Sequence, residues 1–135
     1  MKNNQDIAYI RRHKDEHSMD TAQWLLSREI FHTHDDAEVG HVLVVGFDER
    51  RDLVIMLGRY QDATSKEKVL RQVVVRKEDA FRMAQQLRIS MTGLPNYIAD
   101  KFSIAEGFSG MEQGESILAD ILDYLLSLKV SYKVD

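Results

Sequence analysis

Two dense apolar runs, Val42-Leu43-Val44-Val45-Gly46-Phe47 and Leu53-Val54-Ile55-Met56-Leu57, flank the charged stretch Asp48-Glu49-Arg50-Arg51-Asp52. β-rich runs on either side of a short polar turn predict an antiparallel hairpin over 41–47 and 53–60. Neither run alternates apolar and polar residues, so both faces of the hairpin require cover. A polar stretch, Gln61-Asp62-Ala63-Thr64-Ser65-Lys66, turns the chain into a third run, Val69 to Val75. Three strands joined by short turns make an antiparallel meander, 41–47, 53–60 and 69–75.

Around this meander the period changes. Ala22, Leu25, Leu26 and Ile30 recur at helical spacing behind Asp20, which forms a capping box with Gln23, and predict a helix near 20–31. Trp24, Ile30 and Phe31 suit a strand equally well in its second half. Upstream, Asp6 to Arg11 reads as a short edge strand, and His32 to Gly40 as a polar loop. Ala80, Met83, Ala84 and Leu87 mark a helix near 77–88, with Glu78 and Asp79 in the turn where the helix dipole favours acids. Pro95, the sole proline, opens a helix over 95–102. Met111, Gly114, Leu118, Ile121, Leu125 and Leu128 then follow 3-4-3-4-3 spacing and, behind the capping pair Ser109 and Glu112, predict a helix over 110–128. Val130, Tyr132 and Val134 alternate with polar residues and predict a short C-terminal strand. The order β-α-β-β-β-α-α-α-β describes an α+β fold in a single globular domain, 1–135.

Composition removes some chemistry. The 135 residues include no cysteine, which excludes disulfides, iron–sulfur clusters, thiolate zinc and cysteine nucleophiles. No apolar segment follows the polar start as in a signal peptide, and the apolar runs are too short to span a membrane. These features predict a cytoplasmic protein without a membrane partner. The net charge of −4 is unevenly spread. Residues 59–101 hold nine Lys and Arg against five Asp and Glu, so that third is +4 and the flanks together are −8. A basic middle in an acidic chain can hold an anionic partner, or it can simply be solvated surface.

Three groups of residues are candidates for function. His32, His34 and His41 form the one cluster with metal-ligand chemistry, beside Asp35 and Asp36. The His-x-His element resembles the loops of metallo-hydrolases. It departs from them because no histidine follows His41 and only His13 and His17 precede the cluster. The alternative is a set of surface residues in a polar connection.

The second group lies in the basic third. Ala84, Leu87, Ile89 and Leu94 occupy the core places of a helix-turn-helix, and about 20 residues around them resemble that motif. The resemblance implies a nucleic-acid partner contacted by Arg76, Lys77, Arg82, Arg88, Thr92, Asn96 and Lys101, with Met91 and Tyr97 also facing the groove. The sequence departs from the motif at Arg88, where glycine is usual, and at Pro95, which would break a recognition helix. The alternative reading makes the four apolar residues core contacts of two packed helices, with Pro95 starting the second.

The third group is the stripe Met111, Leu118, Ile121, Leu125 and Leu128, a candidate interface for a second helix or a partner subunit. Gly107-Phe108-Ser109-Gly110 lacks the lysine of a phosphate-binding loop, and no nucleophile elbow is present. No cofactor is expected. The sequence is therefore read as a non-enzymatic protein-interaction or assembly module, a homodimer held by the hairpin or the helical stripe. Nucleic-acid binding and metal binding are the alternatives.

Overall fold

The computed structural model describes residues 24–34, 40–60, 68–103 and 110–135. It holds a five-stranded antiparallel sheet in the order β1-β2-β3-β4-β5, with β1 Leu25–His34, β2 Gly40–Phe47, β3 Leu53–Tyr60, β4 Lys68–Val75 and β5 Lys133–Val134. Between β4 and β5 run α1 Lys77–Leu87, a 3₁₀ turn Met91–Gly93, α2 Leu94–Phe102 and α3 Gly110–Ser127. The fold is α+β and the expected meander is present.

The central hairpin pairs Phe47 with Leu53 and keeps register out to Gly40 and Tyr60. Its turn is built by the charged residues themselves. Asp48 Oδ1 accepts the N–H groups of Arg50 and Asp52 at 2.9 and 3.0 Å, and the Arg51 N–H donates to the Asp48 carbonyl. Arg51 takes the left-handed conformation, φ 70°. Aspartate favours such a turn because its short carboxylate reaches the backbone two residues on.

The first face of the sheet carries Leu43, Val45, Leu53, Ile55, Leu57 and Val73, all fully buried beneath the helices. α2 lies on β1 and β2, and α3 crosses β1, β2 and β3. The second face carries Val42, Val44, Val54 and Met56, which are only 2 to 9% exposed within the single chain. Trp24 and Val74 pack against them. This double burial is why neither apolar run alternates.

One element departs from the expected order. In place of a helix near 20–31, the chain runs as strand β1 from Leu25, and this strand continues through His32–His34, where a loop was expected. The register explains the misleading spacing. Each of two bulges, between Leu25 and Arg28 and between Glu29 and Phe31, inserts one extra residue into β1. The second lets the consecutive residues Ile30 and Phe31 both be buried, which mimics a helical interval. The first places Leu26 at φ 59° and leaves Leu25 and Leu26 exposed, so the supposed helical stripe is not used. The expected edge strand at 6–11, the capping pair Asp20 and Gln23, the turn 61–66 and Ser109 lie outside the described residues. The C-terminal strand is present but only two residues long.

α1 and α3 end by the same device. The Ile89 N–H reaches the Ala84 carbonyl and the Arg88 N–H that of Gln85, with Arg88 left-handed at φ 60°. After α3, Val130 and Lys129 bond to Leu125 and Leu126, with Lys129 at φ 61°. Both are Schellman closures with a basic residue in the position glycine favours.

Candidate functional site

The strand register separates the histidines. His32 pairs with Val42 and so shares the second face, whereas His41, next along β2, lies on the first. His41 is 5% exposed, while half of the His32 side-chain surface is open, with its Nδ1 4.0 Å from Glu29 Oε1. His34 holds the register position opposite Gly40. The cluster that looks compact along the chain is split by the sheet between two environments. Among the described residues no three His, Cys, Asp or Glu side chains come together as a metal site.

The basic segment does contain two helices joined by a tight turn. Arg88 occupies the left-handed place that the motif gives to glycine, and Pro95 stands in the first turn of α2, where it was expected to start a helix. The second helix, however, is engaged by its own chain. Leu94, Pro95, Ile98 and Ala99 are buried against the sheet. Asn96 accepts a hydrogen bond from Arg28 of β1, and Asp100 pairs with the same guanidinium at 3.2 Å. Thr92 bonds to Ser90 at 3.2 Å, and half-buried Met91 packs on the core. Arg82 is paired with Asp79. Arg76, Lys77 and Arg88 are exposed.

Tyr97 turns to α3 and shares a 2.9 Å hydrogen bond with the Tyr124 hydroxyl. Phe102 meets the Tyr124 ring edge-on, and Lys101 Nζ stands 4.8 Å from the centre of that ring. Burial, followed by the hydrogen bond and charge of Tyr97, pushes the Tyr124 hydroxyl up to about 12. This cluster fastens α2 to α3.

The apolar stripe of α3 is used within the chain. Leu118, Ile121 and Leu125 are buried in the main core, and Leu128 packs on it half-buried. Gly114 lies against Leu57 and Phe31. Met111 begins the stripe in the first turn of α3, and its side chain lies outside what is described. Leu118, Ile121, Leu125 and Leu128 thus pack on the core of their own chain. The wider apolar arc that Ile117 and Leu122 add is the pattern a sheet requires.

A cleft of about 610 Å³ opens where the hairpin turn, the start of α1 and the C-terminal strand converge, lined by Asp48, Asp52, Arg50, Arg76, Asp79 and Lys133 among others. Three of its carboxylates are committed: Asp48 to its turn, Asp52 to the Lys77 N–H at 2.9 Å, and Asp79 to Arg82. With Asp135 the lining holds four acids against the three bases Arg50, Arg76 and Lys133.

Sequence reasoning passed over the outward faces of α1 and α3. Phe81 is 52% exposed and Leu126 58%. A helical projection locates both, since Phe81 lies off the Ala80, Met83 and Ala84 stripe and Leu126 off the stripe of Ile121 and Leu125. Lys77 and Arg88 stand exposed on α1 and at its end, and Asp120 and Asp123 on α3; among the described residues none of the four side chains has an ionic partner.

No protein-family model, curated protein or solved structure matches this chain. The functional reading therefore rests on the molecule's own surface. Among the described residues no helix is long and apolar enough to cross a membrane.

Proposed function

We propose that the chain is a small intracellular protein-interaction module, non-enzymatic and self-associating. The observation that supports this is where apolar surface remains. Both faces of the central hairpin are buried within one chain, so neither hairpin nor helical stripe needs a partner. Among the described residues Leu25, Leu26, Val69 and Val134 stand exposed on strands, and two large side chains, Phe81 and Leu126, stand in solvent on separate helices. Fully burying such a side chain contributes about 1.5–3 kcal/mol, so a surface that covers both gains useful affinity. His32 and His41 sit on opposite faces of the sheet, and the second helix of the basic segment is occupied by β1 and α3, which leaves association as the best-supported role.

Light scattering on the full chain at tens of micromolar tests the self-association. The expected mass is twice the 15.6 kDa of one chain. A mass of one chain throughout that range would remove the reading.

A further inference from the structure

Singly exposed apolar side chains are ordinary on protein surfaces. Phe81 and Leu126 differ from that background in their surroundings. Lys77, Phe81, Gln85 and Arg88 recur at i, i+4, i+8 and i+11, which aligns them along the outer face of α1 and its closing turn. Asp120, Asp123 and Leu126 recur at three-residue intervals on the outer face of α3, and all three are exposed. From Arg76 to Arg88 there are four bases against two acids, whereas α3 contains four acids and no base. Each face is thus an apolar side chain flanked by charge, and the two charges are opposite. Within the chain the faces do not satisfy each other. Among the described residues Lys77, Arg88, Asp120 and Asp123 form no ion pair, although Gln86 Nε2 donates to the Leu128 carbonyl and so brings the C-terminal ends of α1 and α3 together.

We infer that the occupant of these faces is a second copy of the chain, with the outer face of α1 on one subunit laid against the outer face of α3 on the other. Because each copy carries both faces, a two-fold axis makes the contact twice and closes the assembly as a dimer. Phe81 and Leu126 supply the buried area, and Lys77 and Arg88 meet Asp120 and Asp123 at its rim. Each exposed ion pair adds little by itself, but the pairs of the two symmetric contacts act together, setting partner and register and supplying a salt-dependent share of the affinity. The association is therefore salt-sensitive, weakening about tenfold or more between about 0.05 and 0.5 M salt. The inference rests on the self-association proposed above and specifies its surface.

Charge exchange tests it, read by sedimentation velocity on the full chain. Lys77→Glu with Arg88→Glu makes both faces acidic, and Asp120→Lys with Asp123→Lys makes both basic. Each variant alone is expected to be monomeric. Mixed in equal amounts they are expected to form a heterodimer, and a chain carrying all four changes is expected to dimerise with itself. Circular dichroism establishes that each variant is folded. Should a charge variant fail to fold, Phe81→Ser and Leu126→Ser decide the matter, each weakening the dimer about tenfold or more. A wild-type dimer untouched by these changes would overturn the pairing and leave self-association standing. A monomeric wild type would overturn both. If the acidic α1 variant instead keeps the dimer and abolishes a low-salt gel shift on mixed DNA, the basic face belongs to nucleic acid and the pairing is wrong.

Discussion

Gly46 and Gly114 are both crowded, but by different kinds of neighbour. A Cβ at Gly46 would stand 2.8 Å from Trp24 Cε3 and 3.0 Å from the Ser27 Cα. One is part of a rigid ring and the other is backbone, so neither yields easily. A Cβ at Gly114 would stand 2.8 Å from Leu57 Cδ1, the end of a flexible side chain, and alanine in a helix is favoured over glycine by about 1 kcal/mol. Gly46→Ala is expected to lose about 1–3 kcal/mol in denaturant unfolding, while Gly114→Ala stays within about 1 kcal/mol of wild type. Equal losses at the two positions would refute the steric account. Tyr124 gives a residue-level prediction in pH. Its hydroxyl is raised from 10.0 to about 12, so the folded chain holds that proton more firmly than the unfolded chain. The resulting stability is fully present below pH 10 and is lost as pH rises through 12. Tyr97→Phe removes the hydrogen-bond partner, and the phenolate absorbance of Tyr124 is expected to develop at lower pH than in wild type. An unmoved titration would show that the 2.9 Å contact has no such influence.

The elements are joined by side chains remote in sequence. The N-cap residue of α1, Arg76, makes no side-chain cap, and the Lys77 N–H is taken by Asp52 from the hairpin turn. The turn therefore completes a helix 25 residues away. Asp52→Ala is expected to lower stability by about 1 kcal/mol, the usual cost of a missing cap, and hydrogen exchange should show faster opening of the first turn of α1. An unchanged exchange rate there would count against capping from the turn. The same scale shows where sequence patterns mislead. β2, β3, β4, α1 and α2 were legible within a residue or two, because their periods are clean and their ends carry turn or cap signals. β1 was not. Its two bulges shift the phase of the strand, and so remove the alternation by which a half-buried strand is told from a helix.

For the whole molecule, the decisive fact is that the central hairpin is buried on both faces. Continuous apolar runs in β2 and β3 left two solutions, one with a second subunit and one within the chain. Val42, Val44, Val54 and Met56 are buried without a second subunit, so the hairpin belongs to folding. The same applies to the α3 stripe, whose Leu118, Ile121 and Leu125 bind the sheet. Association then falls to the surfaces the core leaves over. The uneven charge along the chain acquires a place in space, with bases on α1 and acids on α3. The salt-sensitive dimer we propose belongs to this scale, since charges at an interface rim are screened over about 10 Å at 0.1 M salt.

Local pattern determined most elements of this protein. Period, turn residues and caps act over a few residues and are written into the chain, as in the Asp48–Asp52 turn and the start of α2 at Pro95. Which apolar face meets what was decided only in three dimensions. Burial depends on how strands align, and one inserted residue moves side chains from one face to the other. That is why His32 and His41 part company, why Leu25 and Leu26 lie outside while Ile30 and Phe31 lie inside, and why the hairpin needs no partner to cover its second face.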